Sequence, residues 1–172
     1  EQPQHKIVSI IGNMSHYGRA GRHEVVMHLS DRVGSQAYPV PTPVVATSVE
    51  ERELLQTQRS FITVKALAEQ AKATFVGIGQ IAWNAPLHQN GFINDDELAE
   101  LVELGAVGEI AGWAYDRHGV LLQQGTNSRV ASVPLEQPAN RLIIGVASGV
   151  KKAEAILAAL RGKLITGLII DE

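Results

Sequence analysis

Lys151 and Lys152 stand side by side where a glycine turn passes into a helix. Cations there oppose the helix dipole, so the pair is out of place unless an anion joins it. Two ammonium groups beside unpaired backbone N–H groups suit a phosphate. The residues on either side explain how the pair is carried. Leu142 to Ala147 is a continuous, β-branched apolar run, the pattern of a buried parallel strand. Ser148-Gly149 breaks it. Ala153, Ile156, Leu157 and Leu160 then follow at helical spacing. In such strand–turn–helix units, ligands bind beyond the carboxyl end of the strand. Lys152 lies one helical turn before the inward-facing Ile156 and leans toward the sheet. Lys151 reads more simply as a solvated lysine.

Parallel strands gather their carboxyl-end loops on one rim. The loops after Ile11, Ile78 and Ala147 bring Gly12-Asn13, Gly77-Ile78-Gly79-Gln80 and Ser148-Gly149-Val150-Lys151-Lys152 to it. Glycines at all three let backbone N–H groups approach a ligand. Asp116, at a strand end, could reach the same rim. There the lysines would take a phosphate and Asp116 the hydroxyls of a phosphorylated polyol. The plainer reading of Asp116 is a hairpin-turn residue. The irregular stretch Gln80 to Gly91 holds Trp83 and His88, and long loops that keep such residues often carry function. The plainer reading is a Trp covering the core edge and a solvated His. The sequence has no Walker A motif, no Gly-x-Gly-x-x-Gly after a strand, no His-Glu-x-x-His and no nucleophile elbow.

The elements that must position these residues alternate. Strands are expected at Lys6 to Ile11, Ala37 to Val40, Thr74 to Ile78, Arg129 to Val133, Leu142 to Ala147 and Lys163 to Ile170. Pro39, Pro41 and Pro43 confine the second to an edge. Helices are expected around Val25 to Val33, after a Ser48 cap, over Arg59 to Ala71 with Ile62, Ala66 and Leu67 as the apolar face, and after an Asn94 cap. Glu109 to Tyr115 and Gly119 to Leu122 read as two strands joined by a tight turn at Asp116 to Gly119. The fold class is α/β: three layers, a mostly parallel sheet with helices on both faces, and a late antiparallel hairpin.

Composition sets the bounds. The 172 residues suffice for one domain; 45% are hydrophobic but only 5% aromatic, so the core must be aliphatic. A net charge of −3 gives no mark of nucleic-acid binding. Without cysteine, disulfides and thiolate metal sites are excluded, and a reducing cytoplasm is compatible. No cofactor is called for. Glu1 rather than Met opens the sequence, as expected of a fragment or a trimmed chain.

Four stretches go further: Phe75 to Gly79, Glu97 to Asp116 with its Gly-Ala-Val-Gly step and aromatic-Asp end, Lys152 to Arg161, and Leu168 to Glu172. In order and spacing they resemble the effector-binding, or sugar-binding, domain of SorC-type bacterial transcriptional regulators, over essentially the whole chain. The resemblance implies a fold similar to sugar-phosphate isomerases and CoA transferases. It implies a cytoplasmic regulator of carbohydrate operons, whose N-terminal helix-turn-helix binds operator DNA. This domain would bind a phosphorylated sugar or related metabolite and assemble as a homo-oligomer, a dimer or tetramer. It also implies ligand roles for Gly12, Gly77, Gly79, Asp116 and Lys152, and a basic phosphate contact near His88. The family pattern has two glycines where Ser148-Gly149 stands and a Thr where Ile170 stands. Residues 1–172 would then form an effector domain lacking its N-terminal portion, namely the helix-turn-helix, the first strand and a glycine-threonine phosphate loop. The competing functions are an isomerase-like enzyme and a fragment that serves oligomerisation alone.

Overall fold

The computed structural model describes residues 5–15, 25–135 and 141–171. The first unit is β1 (Lys6–Met14), α1 (Val25–Val33) and β2 (Gln36–Pro43), with the two strands parallel. Prolines alternate with the buried Val40 and Thr42 in β2, which lies at a sheet edge as its missing N–H groups demand. β1 does not end at Ile11. It runs on past Gly12, where a Cβ would come within 2.0 Å of the Thr42 carbonyl oxygen. That glycine is fixed by the close approach of two backbones.

α2 (Val49–Gln56) is capped by Ser48, whose hydroxyl accepts from Glu51 N–H at 3.1 Å. α3 (Arg59–Glu69) buries Phe61, Val64 and Ala68 against β1 and β2. This is not the face expected from the sequence, and Ile62 is 54% exposed.

β3 (Ala73–Gly77), β7 (Leu142–Ala147) and β8 (Gly167–Ile170) form a parallel sheet with β7 in the middle. α6 (Ala153–Arg161) connects β7 to β8 and packs Ala155, Ile156 and Ala159 into a cluster with Val76 and Ala147. The opposite face of this sheet, with Phe75, Leu142, Val146 and Ile169, is exposed.

The remaining strands are antiparallel: β4 (Gly79–Gln80), β5 (Ala106–Ile110) and β6 (Trp113–Asp116). α4 (Pro86–Gln89) and α5 (Asp95–Glu103) lie between β4 and β5 in the chain. α5 opens on a reciprocal capping box of Asn94 and Glu97, with three acids in its first turn.

The architecture is the expected mixture of parallel strands and helices with an antiparallel part, but among the described residues strand pairing divides into three small sheets. Three local expectations change. Glu109 to Tyr115 is a hairpin, turned by Ala111 and Gly112 at φ 54° and 86°, the positive pair that a two-residue type I′ turn needs. The tight turn at Asp116 exists, but it leads to a single bridge, Tyr115 to Leu121, in place of a further strand. Arg129 to Val133 likewise begins in a 3-10 turn, Gly125–Arg129, and makes one bridge, Val130 to Val45.

Candidate functional site

The end of β3, the start of β4, the β5–β6 hairpin and the start of α6 meet around a cavity of about 270 Å³. Its walls are largely apolar: Ile10, Ile11, Phe75, Ile78 and Pro86. Its polar content is small and specific. Gly77 and Gly79 line it from the β3–β4 step, Lys152 from the α6 start, and Glu109 from β5.

Glu109 faces Gly79 across the β4–β5 pair. One carboxylate oxygen, Oε2, accepts from the Gly112 N–H at 2.9 Å, so the left-handed hairpin turn aims a donor at it. The other, Oε1, stands where a Cβ on residue 79 would be, at 2.0 Å, so glycine is what admits it. Burial pushes the Glu109 carboxyl above its ordinary pKa, against the opposing pulls of the Gly112 N–H and the Lys152 charge. No direct ion pair joins Glu109 and Lys152 among the described residues. Beneath them, Tyr115 is fully buried and donates its hydroxyl to the Ala155 carbonyl at 3.1 Å. Its pKa is raised, first by burial and then by the Glu109 charge. Gly108 makes room for that ring, since a Cβ there would lie 2.4 Å from the Tyr115 oxygen.

Of the residues picked from the sequence, the structure brings together Gly77, Gly79 and Lys152. Lys152 is half-buried and Lys151 exposed, the distinction that helical phase anticipates. The others do not line the cavity. Gly12 and Asn13 belong to β1, pressed toward β2. Gln80 is paired with Gly108 in the β4–β5 ladder. Gly149 N–H donates to the Asp171 carboxylate, at 3.1 and 3.2 Å to its two oxygens. Asp116 is a turn residue: its Oδ1 accepts from His118 N–H at 2.8 Å and Val120 N–H at 2.9 Å. His16, Tyr17, Arg19 and Arg22 lie outside the described residues.

His88 belongs to a second hollow, an open groove of about 600 Å³. Its Nδ1 lies 2.9 Å from the Trp83 carbonyl and its Nε2 2.7 Å from Asp95 Oδ1. Both neighbours are acceptors, so only the imidazolium satisfies both, and these two hydrogen bonds, Asp95 first, raise the His88 pKa. Across the groove Arg129 donates to Glu97 at 2.6 Å and to the Ala46 carbonyl at 2.8 Å.

Glu109 is the residue that sequence reasoning passed over. A single acid in a strand has no spacing to betray it. The available signal was its isolation among apolar neighbours, Ala106, Val107 and Ile110, next to a glycine.

A cavity of apolar walls, one cation and one carboxylate, at the carboxyl ends of parallel strands, defines a small-molecule-binding α/β domain. A family model described as a sugar-binding domain matches residues 1–172. The erythritol catabolism regulatory protein EryD of Brucella abortus is 32% identical over 167 residues, covering 97% of this chain and 53% of EryD. The transcriptional regulator LsrR of an Enterobacter species is 34% identical over 137 residues, covering 77% of this chain and 42% of LsrR. The full-length sorbitol operon regulator SorC from Klebsiella pneumoniae has the same fold, with a TM-score of 0.84 at 23% identity, over 98% of this chain and 57% of SorC. The chain thus spans about half the length of the curated relatives it matches. It belongs to the sugar-binding domain family of SorC-type transcriptional regulators.

Proposed function

We propose that the domain senses a phosphorylated sugar or polyol in the cavity under Lys152, and that occupancy shifts DNA binding by a longer regulator of which it is part. The observation that carries this is the presence of one cation, Lys152, and one carboxylate, Glu109, in the lining of an otherwise apolar cavity. An ammonium suits the phosphate, and a carboxylate suits neighbouring hydroxyl donors. Gly77 adds backbone that a ligand can approach closely, since nothing lies within 4 Å of where its Cβ would be. The reading is supported by a family of sugar-binding domains and by a relative named for erythritol catabolism. Operator DNA would be contacted by another part of the polypeptide, in the cytoplasm and as a homo-oligomer. The ligand would be bound and released without turnover. A sensor works only if the ligand binds one DNA-binding state better than the other.

The test is a thermal-shift panel of phosphorylated and free pentoses, hexoses and polyols on wild type and Lys152→Ala. A phosphate ester at 100 times its dissociation constant should stabilise the wild type by about 2.7 kcal/mol. Loss of a charge-assisted contact should weaken binding roughly 10- to 100-fold in Lys152→Ala. The compound should be recovered unchanged after incubation. Stabilisation by free sugars alone, undiminished in Lys152→Ala, would refute a phosphate-reading site.

A further inference from the structure

The turn that carries Lys152 has little packing of its own. Ser148 to Lys151 are all exposed, Val150 at 91%, and no residue from Val150 to Lys152 is buried. Gly149 adopts φ 91° and ψ 140°, a region in which glycine has no steric preference to hold it. Among the described residues, one side chain anchors it from outside. Asp171 follows β8, whose Ile170 is paired beside Ala147, so its carboxylate arrives from the neighbouring strand at the Gly149 N–H. On the other side of the same residue, the Gly149 carbonyl accepts from Lys152 N–H at 3.1 Å and closes the short 3-10 turn that starts α6. A chain of hydrogen bonds therefore runs from Asp171 through Gly149 to Lys152.

We propose that Asp171 is a positioning residue: its carboxylate acts as a built-in anion that fixes the Gly149 turn and so holds Lys152 over the cavity, facing Glu109. This rests on the reading of that cavity as the ligand site. It also assigns the glycine donor to an internal partner, so an incoming phosphate meets the Lys152 side chain and not the Gly149 N–H.

The test needs no ligand. The Glu109 carboxyl is titrated by NMR in protein carrying 13C-labelled glutamate. The groups facing it are the Gly112 N–H from the hairpin turn, the Lys152 ammonium from the α6 start and the Tyr115 hydroxyl from β6. Removing the ammonium in Lys152→Ala raises the Glu109 midpoint and sets the scale. Asp171→Ala should raise it in the same direction, because the lysine is no longer held there. It should add nothing in the Lys152→Ala background. Asp171→Asn keeps an oxygen for the Gly149 N–H, so the midpoint should stay near wild type or fall slightly, since one negative charge has gone. If Asp171→Ala does not fold, Asp171→Glu, whose longer arm displaces the carboxylate, takes its place with the same expected rise. A midpoint that falls in both Asp171→Ala and Asp171→Asn, or that Asp171→Ala leaves unmoved, would overturn the proposal. Failure of the ligand reading would appear only in the thermal-shift panel and would leave this titration intact.

Discussion

The short helix α4 is a wall shared by two hollows of opposite character. Pro86 faces the cavity and His88 the groove. The groove is the larger and the more heavily charged. Its charges face one another: His88 with Asp95, Arg129 with Glu97, and Glu97 again with the Asn94 N–H at 2.8 Å. The cavity holds one cation and one carboxylate with no ion pair between them, set in apolar walls. Recognition needs groups that gain a partner when the ligand arrives, and buried polar groups already satisfied gain nothing. On the proposed reading, charge density alone would select the wrong hollow. In the groove Arg129 joins segments far apart in sequence, to Glu97 and to the Ala46 carbonyl, whereas Lys152 and Glu109 in the cavity are not joined to each other.

The largest effect that would sharpen this contrast belongs to the groove. Arg129→Ala removes one cation from the largely buried Glu97 and the guanidinium donor from the Ala46 carbonyl. It should cost about 3 kcal/mol of stability, read by urea unfolding. Ligand affinity in the cavity should be unchanged at temperatures where the variant is folded. An equal fall in affinity would mean that the two hollows are not independent.

Next is Glu109→Gln. Burial holds the folded-state pKa of Glu109 above its ordinary 4.5. Its contribution to stability is therefore complete below that value and is lost as pH rises through the raised pKa. The glutamine variant should lack this decline, so wild type should lose stability relative to it as pH rises from the ordinary carboxylate range through the raised midpoint. Parallel pH profiles for the two proteins would contradict an ionisable Glu109 whose pKa is raised by its half-buried setting.

The smallest effect is at His88, whose partner Asp95 is 80% exposed. Its folded-state pKa is raised above 6.5, so its pairing stabilises the fold below that value and fades as pH rises through the raised one. His88→Gln should flatten that part of the stability profile, and added salt should shrink the difference further. A change in ligand affinity in this variant would place His88 at the cavity after all.

Local signals predicted well where the chemistry is local. Ser48 and Asn94 cap helices as their types demand, and the β7–turn–α6 unit follows from an apolar run, a glycine and a helical stripe. Helical phase also separated Lys152 from Lys151. The misses are tertiary. Ala111 turns a hairpin in a left-handed conformation that no Asn-Gly or Asp-Gly pair announces, so Glu109 to Tyr115 passes for a strand. Phe61 faces inward where Ile62 was expected because α3 is phased by β1 and β2, not by its own composition. Asp116 ends a strand as anticipated, but its carboxylate caps its own turn, and nothing in its spacing distinguishes that from a ligand contact. Asp171 is seen only once β8 is placed beside β7.

The aliphatic core leaves the protein with two tryptophans in contrasting settings. Trp113 is half-buried with its indole N–H on the Val133 carbonyl at 3.2 Å. Trp83 is exposed and meets the His88 ring edge-on at 5.7 Å between centroids. A protonated imidazole quenches indole light, so Trp83 should dim as His88 takes up its proton while Trp113 follows unfolding. The molecule thus carries one native lamp for the groove and another at the edge of the core, and emission colour separates the exposed one from the half-buried one.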